Sequence, residues 1–411
     1  MPESLAGVAF RHSNIRYYLI VRVLTTTASE MQAVAVAWQV YALTHRPLDL
    51  GLVGLAQFLP GMLLFLLTGQ TADRFPRQRI LQACCAGFAL CSLLLLWLTL
   101  HGLSSTVPIY CVLLCNGTVR AFNGPASQSF VPLLVPAELF PKAVAWNSSI
   151  FQAATIAGPV AGGLLYGWRA SPTLVYSFAA IEYLAALPVL AGVRVRTAEG
   201  RPPAASYGVA LEGLRYIRRN KLILGAISLD LFAVLLGGAA ALLPVYAREI
   251  LKIGASGLGI LRSAPGMGAL IMAVAVGRWP LRRHAGAIML WCVCGFGVFT
   301  VIFGLSRNLA LSIAALALIG ACDMVSVIVR HTLIQLSTPD EMRGRVSAVN
   351  VVFIGASNEV GQFESGITAQ WFGAVPAVVL GGLGTIAIVA LWAWRFPALR
   401  RVDALVRPGR V

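Results

Sequence analysis

The chain has 411 residues, of which 58% are hydrophobic and only 12% are charged, and its mean hydropathy is +0.78. A chain this long and this apolar is excluded as a soluble globular protein. Its net charge of +16 is typical of nucleic-acid-binding proteins, but the Lys and Arg residues concentrate in the loops on one side of the predicted spans. The basic charge therefore indicates membrane topology, with both termini in the cytoplasm and no nucleic-acid partner.

Twelve apolar runs follow one another along the chain and predict twelve transmembrane helices, because about 20 apolar residues cross the hydrocarbon core and must satisfy their backbone hydrogen bonds internally. The runs do not alternate as barrel strands would. The predicted spans are residues 14–43, 50–72, 79–101, 106–133, 138–168, 171–192, 221–250, 256–279, 285–305, 309–333, 344–374 and 375–396.

The only long polar segment lies between the sixth and seventh spans and turns amphipathic from about Ser206, which predicts a helix on the cytoplasmic face. A shift of 203 positions also brings Pro136 and Asn147 onto Pro339 and Asn350, which indicates an internal duplication. We therefore expect an all-α membrane protein of two pseudo-symmetric six-helix bundles. Its predicted domains are an N-terminal bundle (1–193), a cytoplasmic linker (194–220), a C-terminal bundle (221–397) and a basic cytoplasmic tail (398–411).

Catalytic and cofactor sites are not expected. All eight cysteines lie in or beside apolar spans and are interpreted as small buried residues rather than metal ligands. The chain has no phosphate-binding Gly-rich Lys motif, so ATP is not expected as the energy source. These features predict neither an enzyme nor a metal or cofactor site.

Three motifs carry a resemblance to a known family. A charged hinge, Gly69-Gln-Thr-Ala-Asp73-Arg74-Phe-Pro-Arg77-Gln-Arg79, separates the second and third spans, and it departs from the family signature at Gln78. The fourth span carries Arg120-Ala-Phe-Asn123-Gly124, and the fifth carries Gly158-Pro159-Val-Ala-Gly162-Gly163. With twelve spans and a six-plus-six repeat, these motifs resemble the major facilitator superfamily, and in particular its exporters that run as drug/proton antiporters.

Residues 121–136 and 338–346 further resemble the branch of that superfamily that contains the bacterial enterobactin exporter. The resemblance implies a monomeric secondary transporter in the bacterial inner membrane that exports a small amphipathic molecule, siderophore-like or drug-like, by alternating access and proton antiport. It does not name the cargo. Import or metal-ion export on the same fold, and a non-transporting membrane receptor or scaffold, remain as alternatives.

Ionisable side chains inside spans are costly and are functional candidates. Such residues are Arg22, Glu30, Arg120, Glu182, Asp230, Arg262, Asp323, Arg330, Glu359 and Glu364. In the family, helices 1, 4, 7 and 10 line the cavity, which makes Glu30, Arg120, Asp230 and Asp323 the expected proton-coupling residues. The expected substrate-binding residues are Glu30, Trp38, Arg120, Asn123, Asp230, Asp323, Arg330, Asn350 and Glu359. Structural ion pairs that steady helix packing are the alternative role for the charged members.

Two further segments are predicted to serve conformational change. Gly158, Pro159, Gly162 and Gly163 predict a hinge and packing seam, because small residues allow close helix contact and Pro removes a backbone donor. Ordinary close packing is the alternative. Gly69, Asp73, Arg74, Arg77 and Arg79 are predicted to form a conformational latch, in which the N-terminus of helix 11 accepts Asp73.

Overall fold

The computed structural model describes residues 13–103, 105–193, 207–279 and 283–403, and every regular element in these ranges is a helix. We number the spans α1 to α12. Their bounds are α1 Ser13–Thr44, α2 Pro47–Leu63 continued by Phe65–Arg74, α3 Arg77–Leu100, α4 Val107–Phe130, α5 Phe140–Arg169, α6 Thr173–Ala191, α7 Lys221–Leu236, α8 Gly254–Arg278, α9 Ala285–Leu305, α10 Leu309–Ser337, α11 Asp340–Phe372 and α12 Ala374–Arg395. A linker helix covers Tyr207–Arg219, and a short helix, Pro397–Arg400, follows α12.

Helix boundaries follow local sequence signals. The side chain of Asn220 accepts hydrogen bonds from the amides of Leu222 and Ile223 and so caps the start of α7. Asn308 caps α10 in the same way. Between α11 and α12, Gly373 has a φ of 92°, a conformation that is open to glycine and strained for other residues. These signals explain why the boundaries lie close to the predicted ones.

The seventh span is less regular than its apolar run predicts. Instead of one helix over 221–250, α7 ends at Leu236, and a 3₁₀ turn at Ala239–Leu242, one α turn at Leu243–Val245 and a π turn at Tyr246–Ile250 complete the span. The break falls at Gly237 and Gly238, where two glycines in succession lower helix propensity. A Cβ on Gly238 would lie 2.7 Å from the carbonyl oxygen of Gly361 on α11, so the neighbouring helix also requires glycine there.

Nine helices within the described ranges are long and apolar enough to cross a membrane, if the continuation of α7 to Ile250 is included. The other three spans are α2, which is interrupted at Leu64, and the more polar α4 and α11. Together they give the twelve helices that the hydropathy pattern predicts, and the all-α membrane fold is confirmed.

The chain forms two compact units. The first contains the described residues of Met1–Thr44, Ala56–Ala205 and Gly254–Ser263. Its core consists mostly of aliphatic and small side chains, and within it the ring centroids of Phe88 and Tyr183 stack 5.2 Å apart. Gln39 of α1 accepts a hydrogen bond from Tyr176 (2.6 Å) and donates one to Thr99 (3.0 Å), so it joins α1 to α6 and α3. Hydrogen bonds of this kind add to packing where lipid supplies no hydrophobic drive between helices.

The second unit contains the described residues of His45–Leu55, Ser206–Ile253 and Ala264–Val411. The predicted amphipathic helix is present as the linker helix and packs on this unit, while residues 194–206 lie outside the described ranges. Ile217 is buried in a cluster with Ile334 and Val346, and Glu212 forms an ion pair with Arg345 at the start of α11. The predicted domain boundaries, which differ from these units, stay a prediction.

Candidate functional site

The most enclosed charges of the second unit are an ion pair between α7 and α10. Arg330 and Asp230 contact each other through Nη1 and Oδ2, and their residues are only 2% and 7% exposed. Both lie on helices that the hydropathy pattern places across the membrane. A charge in such a site is costly unless it is paired, so each member of this pair supplies the counter-ion that the other requires.

A second carboxylate, that of Asp323, lies beside this pair. Asp323 is on α10, two turns before Arg330, and within the described ranges nothing hydrogen-bonds or ion-pairs with its side chain. It lines a small pocket whose wall comes from α7, α9 and α10. The lining residues are Asp230, Ala233, Val234, Val293, Phe296, Cys322, Asp323 and Ser326.

The structure thus brings together three of the sequence-predicted site residues, Asp230, Asp323 and Arg330. Sequence spacing places Asp323 and Arg330 on one face of α10, about 10 Å apart, but it does not show that Arg330 pairs with α7. The apolar and sulfur-bearing part of the wall, including Phe296 and Cys322, was missed, because nothing in a uniformly apolar span marks which side chains face a cavity.

Four of the predicted residues belong to the first unit. Glu30 of α1 is half-buried, with its Cβ against Gly158 of α5, and Trp38 packs edge-on to Tyr166 with ring centroids 6.3 Å apart. On α4, Arg120 is exposed and Asn123 is half-buried. These four residues therefore lie on α1 and α4 of the first unit, and their predicted roles stay predictions.

The two remaining predicted residues are on α11. Asn350 is 3% exposed, and its Oδ1 atom is buried without a hydrogen-bond donor among the described residues. Two and a half turns further on, Glu359 accepts a hydrogen bond from Gln362 at 3.2 Å. Gly54 of α2 packs beside the same carboxylate, since a Cβ there would lie 3.2 Å from Oε2. Glu359 therefore lies at a helix contact within the second unit.

The glycines of α5 lie on close helix contacts. A Cβ on Gly158 would lie 2.6 Å from the Cβ of Glu30, and one on Gly162 would lie 2.7 Å from the Cα of Met31. On Gly163 it would lie 2.9 Å from the Cα of Gly259. Pro159 lies inside α5, which runs unbroken from Phe140 to Arg169. The seam is thus a place where backbones approach closely, and its predicted role as a hinge stays a prediction.

The charged hinge joins the second segment of α2, which ends at Arg74, to α3, which begins at Arg77. Arg74 and Arg79 are exposed, Gly69 and Arg77 are half-buried, and the side chain of Asp73 lies outside the described part of the structure. Gln78, the position that departs from the family signature, donates hydrogen bonds to the carbonyl oxygens of Leu190 (2.8 Å) and Val193 (2.9 Å). It therefore closes the C-terminal end of α6, a role that the signature does not indicate.

Comparison with known proteins bears on the whole chain. A family model described as transmembrane secretion effector matches residues 5–407. The chain belongs to this family. Enterobactin exporter EntS of Shigella boydii serotype 4 is 25% identical to this chain over 386 residues, which cover 91% of this chain and 86% of the relative.

Solved structures agree with this membership at the level of the fold. A peptide transporter POT in complex with sulfate superposes with a TM-score of 0.74 at 10% identity, covering 95% of each chain. A bacterial homolog of the human lysosomal transporter Spinster, inward-facing and unoccupied, superposes with a TM-score of 0.71 at 12% identity. This match covers 96% of this chain and 97% of the homolog. This transmembrane secretion effector is therefore a multi-pass membrane transporter of the major facilitator fold, and not an enzyme.

Proposed function

We propose that this protein exports a small amphipathic organic molecule, siderophore-like or drug-like, across the bacterial inner membrane by alternating access, driven by inward proton flow. The observation that carries the proposal is the carboxylate of Asp323, which has no partner among the described residues and lines a pocket beside the Asp230–Arg330 pair. The family description and the name of the EntS relative support the direction of transport. The protein acts as a monomer with both termini in the cytoplasm.

The physical reason is the cost of charge in a low-dielectric site. Asp230 has its counter-ion in Arg330, so that pair stays ionised as the cavity changes its exposure. Asp323 has no counter-ion among the described residues, and proton uptake removes the cost of its charge. Asp323 is therefore the proton acceptor of the second unit. Glu30, which also lacks a described partner, is the corresponding candidate of the first unit.

Coupling follows when cargo and proton compete for one cavity. Phe296, Val293 and Val234 offer an apolar wall to an amphipathic cargo, while Asp323 and Ser326 offer polar contacts. A cargo that requires the ionised carboxylate leaves when Asp323 takes up a proton, and its departure frees the site for the next cycle. The charged hinge around Asp73, as a latch on the cytoplasmic side, belongs to the same cycle.

The test uses purified protein in proteoliposomes with an acidic lumen, and two probes: enterobactin, which the relative's name suggests, and ethidium as a drug-like cation. Protons that leave the lumen drive probe into it if the protein is an antiporter. We expect accumulation with the wild type and at least a tenfold loss with Asp323→Asn, while gradient-free exchange of probe persists. Glu138→Gln, which removes an exposed carboxylate, is the matched control and should accumulate probe like the wild type.

Three outcomes contradict the proposal. Full accumulation by Asp323→Asn shows that this carboxylate does not couple transport to protons. Loss of preloaded probe together with protons, instead of uptake against them, indicates a symporter. A wild-type protein that moves neither probe under either direction of the gradient favours a receptor or scaffold.

A further inference from the structure

The inference concerns Arg22, a cation of α1 that has no counter-ion in the described part of the first unit. It lies within the first predicted span, residues 14–43, on a helix that is long and apolar enough to cross a membrane. Its Nε atom is buried and has no hydrogen-bond acceptor among the residues that the structure describes. The phenol of Tyr18, one turn earlier, is engaged with Ser127 at 2.7 Å, so it does not serve Arg22.

An aromatic ring and an amide of α5 complete the surroundings of this cation. The guanidinium carbon of Arg22 lies 4.7 Å from the ring centroid of Phe151, which is within the range of a cation–π contact. Asn147 lies one turn before Phe151, hence on the same face of α5, and its Oδ1 atom is buried without a donor. Two polar groups with unused hydrogen-bonding atoms therefore lie along one aromatic side chain.

Such an arrangement is incomplete without an anion. A cation–π contact contributes about 0.5–2 kcal/mol, and an ionisable side chain inside a span is costly unless a counter-ion pairs with it. Buried polar atoms also normally have partners. Phe151 is 40% exposed, so part of its ring is free for a second contact. The missing partner is therefore a group that combines negative charge with an aromatic surface.

We propose that Arg22, Asn147 and Phe151 form a subsite for an aromatic carboxylate of the cargo. The planar guanidinium binds the carboxylate through two parallel N–H donors, the Oδ1 atom of Asn147 accepts a hydrogen bond from a hydroxyl or other donor of the cargo, and the aryl ring packs on Phe151. This subsite rests on the proposed transport function and specifies the class of cargo. It also adds to the predicted substrate-binding residues, none of which belongs to this trio.

The packing of α1 on α5 determines which end of the cargo lies at Arg22 and which end lies towards Glu30. Glu30 lies eight residues after Arg22, about 12 Å further along α1, and it packs on Gly158 of the same helix that carries Phe151. The carboxylate of Glu30 therefore lies beyond Arg22 along the contact between α1 and α5. A cargo with its acid at Arg22 and a neutral or cationic group towards Glu30 is preferred, and a second acid near Glu30 is disfavoured by like-charge repulsion.

The experiment measures equilibrium binding to protein in phosphatidylcholine nanodiscs, without any gradient. The probes are 1-naphthoate and its neutral counterpart 1-naphthalenemethanol, which share the aryl group. We expect Arg22→Gln to weaken binding of naphthoate at least tenfold and to leave binding of the alcohol within twofold. Arg22→Lys should weaken naphthoate severalfold, because an ammonium keeps the charge but not the planar fork. Phe151→Leu should weaken both probes.

Arg169→Gln is the matched control, since it removes an exposed cation from the end of α5, the helix that carries Phe151, and should change neither affinity. Unchanged naphthoate binding by Arg22→Gln overturns the subsite, as does an equal loss for both probes, which indicates a structural role. Wild-type protein that binds neither probe also overturns it. If Arg22→Gln does not fold, Arg22→Lys and Phe151→Leu decide the question.

Failure of this subsite is distinguishable from failure of proton coupling. Naphthoate binding is measured at equilibrium without any gradient, so it tests the subsite and does not depend on proton coupling. Normal naphthoate binding with no proton-driven transport thus contradicts only the transport proposal. Proton-driven transport without discrimination between the two probes contradicts only the subsite.

Discussion

Asp230→Asn tests how strongly the buried ion pair stabilises the second unit. The substitution keeps the size of the side chain and removes its charge, so Arg330, which is 2% exposed, loses its counter-ion. Removing one partner of a buried pair costs about 3–5 kcal/mol, because the remaining charge is left uncompensated. We expect a loss of this order in the free energy of unfolding.

The double replacement Asp230→Leu with Arg330→Met separates the pair's net contribution from the penalty of breaking it. Apolar residues of similar volume in place of a buried ion pair are often neutral or stabilising, by up to about 4 kcal/mol. We therefore expect the double variant to unfold at an SDS fraction at least as high as the wild type does, whereas Asp230→Asn alone should unfold at a lower SDS fraction. Transport should be lost in both, since Asp230 lines the cavity.

The assay is SDS-induced unfolding in dodecylmaltoside micelles, followed by the loss of helical circular dichroism. Asp323→Asn is the matched control, because it removes an unpartnered carboxylate from the same cavity and should leave the unfolding free energy unchanged or higher. Equal losses for Asp230→Asn and Asp323→Asn refute the reasoning. So does a double variant that is as unstable as the single one.

Two further predictions concern close contacts within the first unit. Gly162→Ala should lower the unfolding free energy by about 1–3 kcal/mol, because the added Cβ would lie 2.7 Å from the backbone of Met31. The control Gly124→Ala, whose Cβ would have no neighbour within 4 Å, should be neutral or slightly stabilising. Equal SDS unfolding midpoints for the two variants would contradict this. Gln78→Leu should cost about 1–3 kcal/mol because two carbonyl oxygens at the end of α6 lose their donor. Hydrogen exchange should rise there, and not in Gln128→Leu, which alters an exposed side chain; unchanged exchange in Gln78→Leu would show that the cap is dispensable.

The sequence predicted the spans well because their signal is local. An apolar run of sufficient length must become a helix in lipid, and this holds whatever the run packs against. Asn220 and Asn308 mark helix starts for a similar reason, since a capping side chain acts within three residues of itself. The family motifs were equally readable, because residues that are close in sequence form each of them.

The site was predictable only in part. Ionisable residues inside spans stand out in any apolar sequence, and so Asp230, Asp323 and Arg330 were found. Their roles were not readable, because the pairing of Asp230 with Arg330 depends on how α7 and α10 align, across a hundred residues of chain. The irregular end of α7 likewise arises partly from the approach of α11 at Gly238.

By itself, the sequence determined an all-helical membrane transporter with twelve spans and a set of candidate charges. Only the tertiary structure decided which charges have partners: Arg330 has Asp230, whereas Arg22 has the ring of Phe151 and no anion in the described residues. The physical reason is that hydrophobicity acts on each segment separately, while the solvation of a charge depends on side chains that packing brings from distant segments.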